Sequence, residues 1–228
     1  MATEREARAR DIRVDLLQIG QMVEPGSRVL DIGCGEGDLL DHLVHDRDAD
    51  ARGIEISREG VNACLARGLS VVQGNADTDL ADYPTDGFDY VILSQTLQAM
   101  RDTRATLQEM LRIGRYAIVS FPNFGFWRVR LKLLFDGKMP ETDTLDHPWY
   151  NTPNIHLCTI RDFLDLCADL EVTVERELII DKRGKPSSAP LSARFANLFA
   201  DQGVFLLSYQ GARDKAGDPV YRNRPAAF

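Results

Sequence analysis

Two apolar periods alternate along the chain. Short, mostly apolar runs read as strands, and between them apolar positions recur every three or four residues, as on one face of a helix. Ile12, Leu16, Ile19 and Val23 predict a leading helix over residues 4–23, stopped by Pro25 and Gly26. Val29, Leu30 and Ile32 predict a buried strand, and Leu39, Leu40, Leu43 and Val44 the helix that follows it. Residues 52–56 read as a second strand, followed by a helix capped by Ser57 and carrying Val61, Cys64 and Leu65. Residues 69–73 form a third strand, and residues 83–93 a turn and a fourth. Leu107, Met110 and Leu111 mark a helix before a fifth strand over 115–122. Residues 123–135 mix aromatic, basic and aliphatic positions and predict a basic amphipathic helix. Residues 146–156, dense in Pro, Trp, Tyr and His, suit a loop over a cleft. Thr159, with Asp162 three residues on, approximates a capping box for another helix. Strands at 172–180 and 204–209 follow, separated by a flexible connection (184–190) and a helix (191–200).

Strands alternating with helices predict one doubly wound α/β domain over residues 1–211. Within it, 1–24 hold the leading helix and 123–157 an inserted lid or partner-docking segment. Residues 212–228 read as a loose tail.

Between the first strand and its helix, three glycines stand at alternate positions in Asp31-x-Gly33-x-Gly35-x-Gly37. Glycine permits positive φ and close approach of a ligand to the main chain. The spacing is not a dinucleotide fingerprint: the third glycine of G-x-G-x-x-G would fall on Asp38 or Leu40. It is not a phosphate loop either, since no lysine is present. Asp31 and Glu36 repel anions and suit a cationic or zwitterionic ligand that presents hydroxyls. Glu55 ends the second strand about twenty residues further on, where Rossmann-like folds place the acid that holds a ribose.

Composition narrows the class. A chain of 228 residues, 44% hydrophobic and 27% charged, is that of a soluble globular protein with one sizeable core. A net charge of −8 argues against bulk nucleic-acid binding. No apolar run approaches membrane-spanning length, and the first ten residues lack the apolar core of a secretory signal. A cytoplasmic protein with reduced thiols is expected, since Cys34, Cys64, Cys158 and Cys167 form no C-x-x-C pair. Neither zinc spacing nor a carboxylate cluster for a metal is evident.

The Asp31-to-Gly37 pattern resembles motif I of the class I S-adenosylmethionine (SAM) methyltransferases, and Phe88-Asp89-Tyr90-Val91 resembles that family's F-D-x-V element. The resemblance implies a Rossmann-like fold with a seven-stranded, mostly parallel sheet and an antiparallel last strand. It implies that the loop through Gly33, Cys34, Gly35 and Gly37 holds the methionyl part of SAM or of S-adenosylhomocysteine. It gives Glu55 the ribose and Asp77, preceded by Ala76, the adenine, with Asn75 and Asp79 as alternatives. It implies that Ser94 lies at the methyl-donor end.

Three segments narrow the resemblance: residues 91–98, residues 120–127, and Trp149 to Thr159. Over residues 12–180 the chain is similar to the MetW family of bacterial methionine-biosynthesis proteins. This implies a partner, the homoserine O-acyltransferase (MetX), more firmly than it implies a reaction. The competing expectation is an autonomous small-molecule methyltransferase, for which His147 and His156 are the candidate bases. A third is membrane-surface binding through residues 124–135. No Asn-Pro-Pro-aromatic motif follows the fourth strand, where Ser94-Gln95-Thr96-Leu97 stands, so base-amino methylation is disfavoured.

Overall fold

The apolar runs of the sequence join, in the computed structural model, into one twisted sheet flanked by helices on both faces. The structure describes residues 12–142, 144–145, 147–181, 185–187, 193–212 and 217–220. In chain order the elements are α1 (Val14–Met22), β1 (Arg28–Ile32), α2 (Asp38–Arg47), β2 (Asp50–Glu55), α3 (Arg58–Ala66), β3 (Ser70–Gln73), α4 (Ala76–Asp79) and β4 (Phe88–Ser94). Then come α5 (Thr103–Ile113), β5 (Gly114–Pro122), α6 (Trp127–Asp136), α7 (Ile160–Asp169), β6 (Val172–Ile180), β7 (Pro186–Ser187), α8 (Ala193–Phe199) and β8 (Gln202–Tyr209). The sheet order is β3-β2-β1-β4-β5-β8-β6-β7. Strands β1 to β5 are parallel, and β8 runs antiparallel to both β5 and β6. The sequence led us to expect seven strands. The eighth, β7, is a two-residue strand pairing only with Ile179 and Ile180, too short to show as an apolar run.

Strands buried on both faces read as continuous apolar runs, which is why β4 and β5 were legible. Leu30 and Ile32 of β1 point into one core layer, with Phe121, Phe163 and Phe205. Val29 points into the other, where α1 packs through Leu16 and Ile19. Ser57 Oγ accepts from Gly60 N (3.0 Å), and Thr159 and Asp162 form a complete capping box.

Three boundaries differ from expectation. Of the leading helix predicted over 4–23, residues 4–11 lie outside the described residues, and α1 begins at Val14. The helix expected from residue 123 begins at Trp127, because the Asn123 side chain holds the preceding backbone in a turn. Its Oδ1 accepts from Gly125 N (2.9 Å) and Ile160 N (3.3 Å), and its Nδ2 donates to Asn197 O (2.9 Å) and Ala200 O (2.8 Å). Of the predicted tail, residues 213–216 and 221–228 lie outside the described residues. Residues 217–220 lie back on the domain, with Tyr209 Oη donating to Val220 O (2.6 Å) and Thr85 bonded to Asp218.

Candidate functional site: the crevice between β1 and β4

Strand order reverses between β1 and β4, and in such sheets ligands bind where that reversal opens a crevice at the carboxyl ends. Four sequence-predicted groups lie along it: the glycine loop, Glu55, Asp77 and Ser94.

All three loop glycines have positive φ (71°, 56° and 88° at Gly33, Gly35 and Gly37), but for different reasons. A β-carbon at Gly37 would stand 2.7 Å from Leu69 Cδ1 and 2.8 Å from Cys64 Sγ, so this glycine serves packing. One at Gly35 would meet nothing within 4 Å. Gly35 is therefore the position where the main chain borders open space. Cys34 belongs to the loop through its backbone alone: its buried thiol lies 3.9 Å from Cys64 Sγ, and burial pushes its pKa up.

The two acids differ sharply. Glu55 is 8% exposed, and its carboxylate accepts from Gly35 N (Oε2, 2.9 Å) and Ser57 N (Oε1, 2.8 Å), so it ties β2 to the glycine loop. Asp31 is 2% exposed, and its Oδ1 has no hydrogen-bond partner among the described residues. Burial pushes its pKa up to about 7; the Glu55 charge adds to this and Arg13 opposes it.

At the end of β3, Asp79 accepts from Asn75 N and from the Thr78 hydroxyl, and Asn75 caps α4 through Asp77 N. Both alternatives to Asp77 are thus engaged locally. Asp77 itself is exposed and accepts from Arg101 N (3.0 Å) across the crevice. Ala76 packs on the core beneath it. Ser94 Oγ, at the end of β4, lies 3.3 Å from Ser120 Oγ.

Three residues that the sequence reading passed over complete the rim. Arg13 forms an ion pair with Asp15 (2.8 Å) and reaches Ser94 Oγ (3.4 Å). Asp15, 4% exposed, accepts from Gln95 Nε2 (3.1 Å), and Gln95 holds a left-handed φ of 54°. The signal was available: position 15 lies beside Leu16, one turn from Ile12 and Ile19, on the apolar face of the helix, where a carboxylate is out of place.

The histidines separate. His156 Nε2 donates to Arg101 O (3.2 Å), on the Asp77 side of the crevice. His147 lines a small apolar cavity with Phe124, Leu145 and Trp149. The inserted segment reaches the site through Gln98, whose carbonyl accepts from Ile155 N (2.8 Å) and His156 N (2.9 Å).

The sheet order, the glycine loop after β1 and the acid after β2 define a class I methyltransferase-like protein. A SAM-dependent methyltransferase from Thermotoga maritima shares the fold over 92% of this chain and 96% of its own, with a TM-score of 0.64 at 16% identity. One from Archaeoglobus fulgidus does so over 90% and 93%, at 0.54 and 19%. The family model of methionine biosynthesis protein MetW matches residues 13–207, and the chain belongs to that family. The bifunctional methionine biosynthesis protein MetXA/MetW of Rhodopirellula baltica is 36% identical over 207 residues, 85% of this chain. The match covers 32% of that protein's length, so the chain spans about a third of it.

Proposed function

We propose that the protein binds SAM or S-adenosylhomocysteine in the β1–β4 crevice and acts as an accessory partner that supports homoserine O-acyltransferase. The observation that carries the ligand assignment is the buried, unpartnered Oδ1 of Asp31. Such a group is costly to bury alone and is relieved by a cationic donor; both ligands carry an ammonium. Glu55 is held by two main-chain N–H groups, which leaves one lone pair on each oxygen for the ribose hydroxyls. We assign the adenine amino group to Asp77, which is exposed at the end of β3, and the open space at Gly35 supports a ligand lying on the main chain. Bound SAM would supply an electrophilic methyl group. The chain's part is to orient the ligand by its charged and hydroxyl groups.

The partner half rests on the family and on surface chemistry. Leu134 (73%), Phe135 (77%), Trp149 (71%) and Tyr150 (74%) are exposed on α6 and the segment that follows it. Large exposed aromatics and aliphatics mark interaction surfaces. The fused relative is named for both MetXA and MetW, which supports the choice of partner. Phe124 and Phe126, within the segment expected to form a lid or dock a partner, face a small core with Val129 and Leu145. Arg130 turns back to Gly125 O. Among the described residues no helix is long and apolar enough to cross a membrane.

The test is size-exclusion chromatography of the protein mixed with the acyltransferase, together with calorimetric titration of S-adenosylhomocysteine. Co-elution and saturable binding are expected. Separate elution removes the accessory function and leaves the autonomous methyltransferase in its place.

A further inference from the structure

The two edges of the sheet are finished differently. At one, β7 is two residues long and begins with Pro186, which has no N–H to offer. Shortness and proline are devices that keep an edge from pairing. At the other, β3 (Ser70-Val71-Val72-Gln73) has no proline, no charged side chain and no bulge. Its ladder to β2 fixes which of its groups are spare. Gly74 N donates to Glu55 O (3.0 Å), so Ser70, Val72 and Gly74 turn their main chain toward β2. Val71 and Gln73 alternate with them and turn theirs outward, where no strand follows among the described residues. The edge is also bare on one face. The connection after β3 holds only the single turn α4, and beside it a recess of about 600 Å³ opens between Val72, Arg52, Tyr83 and Phe88. Val72 is 54% exposed there, although Ile54, its neighbour on β2, is buried. Arg52 pairs with Asp50 (3.2 Å), so this strip is close to neutral in a chain of net charge −8.

Such an edge is complementary to itself. Laid antiparallel about Val72, Val71 of each copy faces Gln73 of the other. Both residues have outward N–H and C=O groups, so each pair exchanges both of its N–H···O bonds. Val72 then meets Val72 of the second copy at the close spacing of a non-hydrogen-bonded pair, about 4.5 Å between α-carbons. We propose that β3 pairs with β3 of a second copy of this chain, joining the two sheets across a twofold axis at Val72. The contact is isologous and closes at two copies. The neutral strip lets chains of like net charge approach at this edge, where an acidic one would hold them apart. The proposal is independent of the ligand and of the acyltransferase.

Sedimentation equilibrium tests it. The wild-type chain should reach twice the 25.6 kDa chain mass at the concentrated end of a dilution series. V72K sets like charges face to face at the axis and should return the mass to 25.6 kDa. Q73P removes an outward N–H and no bond of the β2 ladder, and should do the same. Cross-linking reads the register. V72C brings two thiols to the axis within disulfide reach, so oxidised glutathione should convert it to a covalent dimer that a reductant reverses. S70C, whose thiols would stand roughly 13 Å apart along the strands, should not link, and neither should the wild type. A wild-type chain of 25.6 kDa at every concentration overturns the proposal and leaves the edge to a strand of another protein. A dimer that survives both V72K and Q73P, or one that V72C links no better than S70C, holds together elsewhere and overturns it too.

Discussion

Asp31 and Glu55 close adjacent parallel strands, and the structure satisfies only one of them. Glu55 accepts two main-chain hydrogen bonds, whereas Oδ1 of Asp31, two positions before Gly33, accepts none among the described residues. Burial, and after it the Glu55 charge, push the pKa of the unpartnered Asp31 up to about 7.

This asymmetry gives a pH dependence. The folded pKa of Asp31 is about 7 against an ordinary 3.8, raised by burial and by Glu55 of β2, and opposed by Arg13 at the start of α1. The folded protein thus keeps a proton that the unfolded chain releases. Its stabilising effect is complete below about pH 4 and is lost as pH rises through about 7. Thermal melts of the ligand-free protein should show this loss. Asp31→Asn should abolish it and raise stability at pH 8 by up to about 4 kcal/mol, the scale of a shift of this size. Binding of an ammonium should draw the proton off, so S-adenosylhomocysteine affinity should rise between pH 6 and pH 8 in the wild type only. Parallel melting curves for wild type and variant at every pH would contradict it.

Glu55→Gln replaces one acceptor oxygen with a donor and opposes a main-chain N–H of Gly35 or Ser57. Affinity for S-adenosylhomocysteine should fall by about 1.5–3 kcal/mol. Unchanged affinity by calorimetry would remove Glu55 from the ligand's ribose.

Gly35→Ala and Gly37→Ala separate the roles of the loop glycines. Both positions have positive φ, a strain of about 1–2 kcal/mol for an L-residue. Only at Gly37 does the added carbon also collide with Leu69 and Cys64. Gly37→Ala should therefore melt well below Gly35→Ala, while Gly35→Ala should fold and bind S-adenosylhomocysteine poorly. Full binding by folded Gly35→Ala would show that the ligand does not lie on this stretch of main chain.

Asn123→Ala removes four hydrogen bonds at a side chain 1% exposed and leaves buried main-chain groups of Gly125, Ile160, Asn197 and Ala200 without it. A loss of about 2–4 kcal/mol in denaturant melts is expected, since each stranded group adds its own desolvation cost. A loss under about 0.5 kcal/mol, the size of an ordinary surface change, would mean water replaces the asparagine.

The frame of the site was legible because its signals are local. The β1 run, the alternate glycines and Glu55 at the end of β2 each follow from period and spacing. What escaped depends on tertiary partners. Nothing next to Asn123 in sequence shows that its amide reaches α8, so the start of α6 was misplaced by four residues. Phe124 and Phe126 have the composition of an interface, but Leu145, twenty residues on, buries them. Arg13 and Asp15 gain meaning only where α1 meets Ser94 and Gln95 at the end of β4.

The proposed function joins this ligand site to a surface that serves another enzyme. Its most direct test is the initial rate of acyl transfer to homoserine by the purified acyltransferase, alone and with an equimolar amount of this protein. A higher rate is expected with the wild-type protein and no increase with Phe135→Glu, a change on an exposed residue that leaves S-adenosylhomocysteine affinity intact. An acyltransferase that works equally fast alone would contradict it.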